Sequence, residues 1–526
     1  MGRILILGAG VMQGPAIRCA GDMGLETVVI DGDPGAPMAS LAGRFEPVDL
    51  KDTGKIEALA RSLVEDGGLD GVMTAGTDFS APVAWIAEKF NLPGIPYEAA
   101  LDASDKERMR RRFKQAGLPS PEYVILTKDD ERRAAPSAAL PFGFPAVVKP
   151  VDNMGARGCR RVDSSAEFRD ALADALRFSR SGRAIAEEYM EGPEFSVDAV
   201  VFQGEITICG LADRHIFFPP YFIEMGHTMP TEFPEKDTEA LVGVFKAGIR
   251  ALGITNGAAK GDIKLTSKGP MIGEIAARLS GGYMSGWTYP YASGVEPVRG
   301  AIAAALGRRP SGLTPVLDWT SAERAFISIP GRVAAISGVE QAQTLEHVRD
   351  IFLRTAPGVR LCFPENNVAK AGSVISAAPR RSEAISEAER AARRILIRLA
   401  APDGETDAFL ASDLSTIFPP PAFALSPELL RALAAVPENP AGSGPVKSVN
   451  GGAALRLYPF PAFVCSGLGD YMGRSVAESL SAAEELSGFK LEFNREKAVL
   501  GRGFWTAFVR GGYQGAVYYI DRIRTG

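Results

Sequence analysis

Histidine is almost absent from this chain: His215, His227 and His347 are the three it has in 526 residues. That excludes a histidine-rich metal centre, so any metal is predicted to be a hard, oxygen-liganded ion such as Mg²⁺ or Mn²⁺. Cysteine is also scarce. Cys19, Cys159, Cys209, Cys362 and Cys465 stand far apart with no CxxC pair, which argues against a zinc cage or disulfide framework and predicts a reducing, cytoplasmic setting. No 18-residue apolar run occurs and the N-terminus enters a strand pattern at once, so neither a signal peptide nor a membrane span is expected. There is no basic excess either. Fifty-eight Lys and Arg against 63 Asp and Glu leave a net charge of −5, which removes the general electrostatic basis for nucleic-acid binding. The run Arg108 to Arg112 falls in a helical pattern and reads as its solvated face. A composition of 46% hydrophobic and 23% charged residues is that of a soluble globular protein, long enough for three or four domains.

The first hundred residues alternate strand and helix patterns: RILILGAG, QGPAIRCAGDMG, ETVVIDGD, a helix from Lys55 to Glu65, then GVMTAGTD. This predicts a parallel α/β domain over residues 1–103. Its ligands would gather at the strand ends near Gly8 to Gly14, Asp31 and Gly76 to Asp78, which makes Gly10 and Asp78 substrate candidates. In SDKERMRRRFKQAGLPSP, Ser104 and Glu107 read as a capping box, with Met109, Phe113 and Ala116 on one face. FPAVVKP is a short strand followed by the glycine-bearing loop DNMGARGC, and AIAEEYMEGPEFSVDAVVF gives two strands around a turn. Residues 401–450, with FPPPAFALSP, PENPAGSGP and NGG, read as a linker or loop-rich segment. Residues 451–526 read as an α+β extension with one helix from Arg474 to Leu486 and at least two aromatic strands. The fold class is therefore α/β and α+β, multidomain.

GDIKLTSKGPMIGEIAARLSGG, residues 261 to 282, carries the strongest chemical signal. A three-residue turn at Ser267, Lys268 and Gly269 would pair Asp262 with Glu274 and Leu265 with Met271. Ile263, Leu265, Met271 and Ile275 would then share one face, with Asp262, Lys264, Glu274 and Arg278 on the other. Two facing carboxylates repel unless a cation lies between them, which asks for a metal. Seen alone, the same ribbon is an ordinary charged surface hairpin.

Taken with SDKERMR, FPAVVKP, DNMGARG and EEYMEGPEFSVD in that order, the ribbon makes residues 1 to about 400 resemble the ATP-grasp superfamily, in its carboxylate–amine ligase and carbamoyl-phosphate-synthase-like branch. The resemblance implies a pre-ATP-grasp lobe (1–103), an ATP-grasp domain (104–310, with its lid and glycine loop in 104–200) and the C-terminal part of that core (311–400). It implies ATP with Mg²⁺ or Mn²⁺, an acyl phosphate formed with release of ADP, and small-molecule carboxylate and amine substrates, in a homodimer. Asp262 and Glu274 are the implied metal ligands. Lys106 and Lys149 would hold phosphates, Gly155 and Gly158 would let backbone N–H groups approach them, and Glu187, Glu188 and Met190 would frame the adenine. Glu194 would grip the ribose and His227 would touch phosphate from a nucleotide-side loop. Arg278 and Lys264 are the catalytic candidates, and Ser280, Gly281 and Gly282 the acceptor wall, with Trp287, Tyr289 and Tyr291 beyond. A lysine in the first turn of a helix opposes the helix dipole, and a nearby anion would account for Lys106.

The chain departs from that pattern at Ala276, where many members have an asparagine that helps hold a second metal. Two other classes stay open: a non-catalytic ATP-binding or regulatory module, and an NAD-dependent dehydrogenase using Gly8-x-Gly10-x-x-x-Gly14 with Asp31. The glycine spacing is one residue too long for the latter. An amino acid or amino-acid-like amine is the expected acceptor, and residues 401–526 resemble nothing named.

Overall fold

A computed structural model describes residues 2–133, 137, 140–438 and 454–525. Most of PENPAGSGP and all of NGG therefore lie outside the described residues. The chain forms two compact units: Met1–Ile216 with Gly226–Glu323 and Ala377–Ala384, and Phe217–Met225 with Arg324–Ser376 and Ile385–Gly526. Among the described residues no helix is long and apolar enough to cross a membrane.

The first unit begins with a parallel sheet of β1 (Arg3–Leu7), β2 (Glu26–Asp31), β3 (Arg44–Pro47) and β4 (Gly71–Met73), in the order β3-β2-β1-β4. Alternation along β1 sends Ile4 and Ile6 into a core with Ala16, Ile17 and Ala20, and Leu5 and Leu7 into another with Ile56, Ala60 and Leu63. Both faces are covered, which is why these strands read as unbroken apolar runs. A second sheet, β5 (Tyr123–Thr127), β6 (Ala146–Pro150), β7 (Arg160–Val162) and β8 (Arg183–Glu188), runs antiparallel in the order β5-β8-β6-β7. Phe168, Ala171, Leu172 and Ala175 of helix Ser165–Phe178 pack on it.

Next come β9 (Glu194–Phe202), β10 (Glu205–Phe217), β11 (Ile223–Met229), β12 (Gly257–Thr266) and β13 (Gly269–Ala276), with β13-β12-β9-β10 adjacent. Phe195, Val197 and Ala199 of β9 and Ile263 of β12 pack against Met109 and Phe113 of helix Lys106–Gln115 and Leu241, Phe245 and Ile249 of helix Glu235–Leu252. The opposite face of β9 and β12 carries cross-strand pairs: Glu194 with Lys264, Ser196 with Asp262, and Asp198 with Lys260.

The ribbon pairs Asp262 with Glu274, but by a different register from the expected one. The turn has two residues, Thr266 pairs with Gly269, and Met271 stands opposite Lys264 rather than Leu265. A bulge then inserts Gly273 between Ile272 and Glu274 and returns the acids to register. Ile272, not Met271, joins Ile263 and Ile275 in the core. The loop from β8 to β9 closes on this ribbon through Gly192, whose φ of +137° and 2.1 Å clearance from an added Cβ to the Leu265 carbonyl oxygen admit no side chain. Gly192→Ala is expected to destabilise the protein by ~1–3 kcal/mol, read as a lowered melting temperature.

In the second unit, packing does not stop at residue 400. Phe326, Ile329, Val374 and Leu399 share one core with Phe409 and Tyr518. The segment read as linker holds helices Gly404–Ala411 and Pro427–Ala434 and the buried Phe423. The aromatic tail is a helix, Arg502–Thr525, kinked at Gly512, rather than strands. Phe504, Trp505, Phe508 and Val509, then Tyr513, Ala516, Val517 and Ile520, recur at helical spacing and bury in one core. Two short strands, Ala454–Leu457 and Lys490–Phe493, pair in parallel beside helix Val476–Ser487.

Candidate active site

Lys106 opens its helix at the first position. The cap is Asp105, whose carboxylate accepts from the N–H groups of Glu107 and Arg108 at 2.9 and 3.1 Å. Ser104 ends the preceding helix, Tyr97–Ser104, so the expected capping box does not form. The Lys106 side chain is 9% exposed, donates to the Asn153 carbonyl at 2.9 Å and lies 3.5 Å from Glu274. Burial alone would lower its pKa, but the carboxylates of Glu274, Asp78 and Glu187 outweigh burial and raise it above the ordinary lysine value. The ammonium is therefore fixed where three acids point.

Lys149, on β6, lies 2.7 Å from Glu187 Oε2. The other Glu187 oxygen accepts from Arg110 Nε at 2.9 Å. Burial raises the Glu187 pKa, yet Arg110 and Lys149 together pull it below the usual carboxylate range. The Arg110 guanidinium is fully buried and donates to the Gly273 carbonyl, the bulge residue, at 2.5 Å. It is not part of a solvated face, as the Arg108–Arg112 run suggested. Its helix position, one after Met109, was the available signal: a charged residue on the flank of an apolar stripe needs a buried partner. The backbones of Glu187 and Glu188 lie in the sheet ladder with β6, and Glu188 Oε1 accepts from Lys268 at 2.9 Å. The Met190 carbonyl accepts from Lys264 at 3.1 Å.

Glu194 is hydrogen-bonded by Arg214 and lies 3.8 Å from Lys264. Arg214 also approaches Asp262 Oδ1 at 2.8 Å, off the hydrogen-bonding direction, while Lys260 pairs with Oδ2. Arg214 and Lys260 were not singled out in the sequence. Lys260 was legible as the residue two before Asp262 on the same strand face, paired across the ribbon with Ala276. Glu274 keeps 31% of its side chain exposed. Burial opposes its ionisation, but Lys106, Lys260, Lys149 and Arg278 hold its carboxyl at about 2. Thus two hard-oxygen donors face each other, and Asp262 Oδ1 lacks a hydrogen bond. Among the described residues no three His, Cys, Asp or Glu converge as a metal cage. This donor set fits an ion that takes most ligands from phosphates and water, as Mg²⁺ does.

Arg278 follows the ribbon. Its Nη1 donates to the Leu279 carbonyl at 3.0 Å and its Nε is buried without a hydrogen-bond partner. Leu279 bridges Ala75 at the end of the parallel sheet, and Gly281 packs on Gly76, where an added Cβ would lie 3.3 Å from the Gly76 oxygen. That approach brings Asp78 to the site. Burial raises its pKa, against the opposing pull of Arg278 and Lys106. Ser280 donates from N–H and Oγ to Asp198 Oδ2 at 3.1 and 2.7 Å. Gly282 takes φ of +62°, and Gly155 and Gly158 take +69° and +66° in the loop after Lys149.

One expectation and one alternative find no support in the geometry. His227 lies on β11 rather than in a loop and is fully buried. Its ring bonds Thr288 at 2.9 Å and stands 3.6 Å from Glu323, so it packs as a core histidine. The glycine turn after β1 is filled from within: Gln13 Oε1 accepts from Gly10 N–H at 2.9 Å, and Asp31 accepts from Ala9 N–H at 2.8 Å. Both groups a dinucleotide would need are spent on the chain itself. Tyr289 and Trp287 are buried and pack.

Residues 142–286 match the family model of the ATP-grasp domain, residues 17–94 that of the ATP-grasp N-terminal domain, and residues 325–400 that of the L-amino acid ligase C-terminal domain 2. An uncharacterized protein of Sinorhizobium fredii is 28% identical over 379 residues, 70% of this chain and 77% of the relative. Carnosine synthase 1 of Gallus gallus is 28% identical over 343 residues, 61% of this chain and 36% of that protein, so the match spans about a third of that enzyme. In structure, the L-amino acid ligase of Bacillus licheniformis aligns at a TM-score of 0.65 and 21% identity, covering 76% of this chain and 99% of that one.

Proposed function

We propose that this chain, which carries an ATP-grasp domain, is an ATP-dependent carbon–nitrogen ligase that activates a carboxylate as its acyl phosphate for attack by an amine, with amino acids or amino-acid-like molecules as substrates. The observation that carries the reading is the ring of cations, Lys106, Lys149, Lys260 and Arg278, held around Glu274 beside Asp262 and Asp78. A surface hairpin has no reason to gather four buried or half-buried cations; a triphosphate does.

When bound, Mg²⁺ would neutralise phosphate charge in the transfer, and Asp262 and Glu274 would hold it. Lys106 and Lys149 bind phosphate oxygens, each positioned by an acid, Glu274 and Glu187 respectively. The N–H groups around Gly155 and Gly158 close over the phosphates. Glu194, steered by Arg214, accepts from the ribose hydroxyls. Arg278, its Nε unspent, clamps the oxygens on which charge develops, and Lys264 stays beside Glu194 and the Met190 carbonyl. Gly10, Asp78 and the Ser280–Gly282 segment border the acceptor. The match of residues 325–400 to the L-amino acid ligase C-terminal domain 2 supports that substrate class.

The test is ADP release from Mg²⁺-ATP with pooled carboxylates and amines, followed by mass spectrometry of the active pools. An amide or peptide product with stoichiometric ADP is expected. Tight ATP binding with no turnover across the panel would instead favour a non-catalytic nucleotide module, the reading that Ala276 motivates.

A further inference from the structure

Joining an amine to an acyl phosphate leaves one proton too many on nitrogen, and none of the groups assigned above takes it. Lys106, Lys149, Lys260 and Arg278 are cations, while Asp262, Glu274 and Glu187 are held by them. Two carboxylates remain: Asp78, which lies 4.0 Å from Arg180, and Asp198, which is bonded directly to Ser280 of the acceptor segment. Asp198 is fully buried on β9, on the same sheet face as Glu194, and directly opposite Lys260. Its Oδ2 accepts both donors of Ser280, while its Oδ1 has no hydrogen-bond partner. The Ser280 hydroxyl gives its one proton to Asp198, so its oxygen faces any further partner as an acceptor.

Resting on the ligase reading, we infer that Ser280 and Asp198 form a two-step proton relay that deprotonates the attacking amine. The amine nitrogen bonds to the acyl carbon as the carbon–oxygen bond to phosphate breaks, and that bonding pair leaves with the phosphate. The surplus N–H proton passes to Ser280 Oγ as the Ser280 hydroxyl proton passes to Asp198 Oδ2. Ser280 touches the substrate; Asp198 acts through it.

The surroundings suit the task. Burial pushes the Asp198 carboxyl up to about 6, against the pull of Ser280, Lys260 and Arg278, so it is ionised at neutral pH yet basic enough to accept a proton. The other titratable groups facing it, Cys209 and Tyr289, are shifted by burial to about 12 and well above 10, and stay neutral.

The relay predicts a split between nucleophiles. Wild type, Asp198→Asn and Ser280→Ala are incubated with Mg²⁺-ATP and the twenty standard L-amino acids, with and without hydroxylamine. Hydroxylamine attacks as a weakly basic, neutral nucleophile and depends far less on a base, so hydroxamate reports the acyl phosphate and peptide reports the relay. The ratio of peptide to hydroxamate should fall by about 10²-fold in both variants. The wild-type peptide rate should rise with pH through about 6, a limb that Asp198→Asn loses. Equal loss of both products, or an unchanged ratio, in Ser280→Ala would overturn the relay even if Asp198→Asn fails to fold. If wild type makes neither product, the ligase reading falls and the relay falls with it.

Discussion

Replacing Glu274 with alanine is expected to cut ADP formation by ~10³-fold or more, with the circular-dichroism spectrum unchanged. Glu274 is one of two carboxylates opposed on the ribbon and the one nearest Lys106, at 3.5 Å. Removing it takes away a hard-oxygen donor and the nearest acid of the Lys106 ammonium, which keeps its hydrogen bond to the Asn153 carbonyl and the weaker pull of Asp78 and Glu187. Phosphate placement is thus lost from two sides at once. Glu274→Gln should lose nearly as much, because the amide keeps the shape but not the charge that four cations surround. The acid's folded pKa of about 2 lies below its unfolded value, so its electrostatic contribution to stability is fully present above the unfolded value and is lost only as pH falls toward 2. Activity lost between pH 5 and 7 therefore does not come from Glu274, and in the relay it comes from Asp198. Full ADP formation by the alanine variant would sink the assignment of Glu274.

The acids were legible because strand alternation and segment order need no tertiary information. Their pairing was read correctly through two compensating errors. The turn is one residue shorter than expected, and the bulge at Gly273 adds that residue back. Sequence periodicity sees neither, since both are features of the backbone path, which Arg110 meets at the Gly273 carbonyl and Gly192 meets at the Leu265 carbonyl. His227 shows the converse. A motif position suggested phosphate contact, but the surrounding strand buries the ring against Thr288. Arg110, Arg214 and Asp198 are hidden from the sequence for one reason: each acts through a partner distant in sequence, Glu187, Glu194 and Ser280 respectively, and such pairing leaves no periodic trace. The helical tail from Arg502 was legible from its aromatic spacing but hidden by the strand propensity of Phe, Trp and Tyr.

Glu187→Ala should be among the most destabilising single changes in the first unit, and more so than Arg110→Met. Glu187 is 4% exposed and neutralises two cations, Arg110 at 2.9 Å and Lys149 at 2.7 Å. Its removal leaves both in a low-dielectric site, which typically costs ~3–5 kcal/mol. Arg110→Met leaves Glu187 with Lys149 still in place, so one counter-charge survives and the loss is smaller. A drop in melting temperature of roughly 5–10 °C is expected for Glu187→Ala. The asymmetry follows from counting partners, and equal effects of the two variants would contradict it. The double variant Arg110→Met/Glu187→Ala should recover part of the loss, because the stranded guanidinium is gone. Function should follow a different order. Lys149 loses its positioning acid only in Glu187→Ala, so KM for ATP rises there. Arg110→Met releases the Gly273 carbonyl, loosening the bulge that sets Glu274 opposite Asp262, and should lower kcat more than it raises KM. Thermal melts read beside steady-state ADP release separate the two roles: a buried triad that only stabilised the fold would shift melting temperature without dividing its effect between kcat and KM in this way.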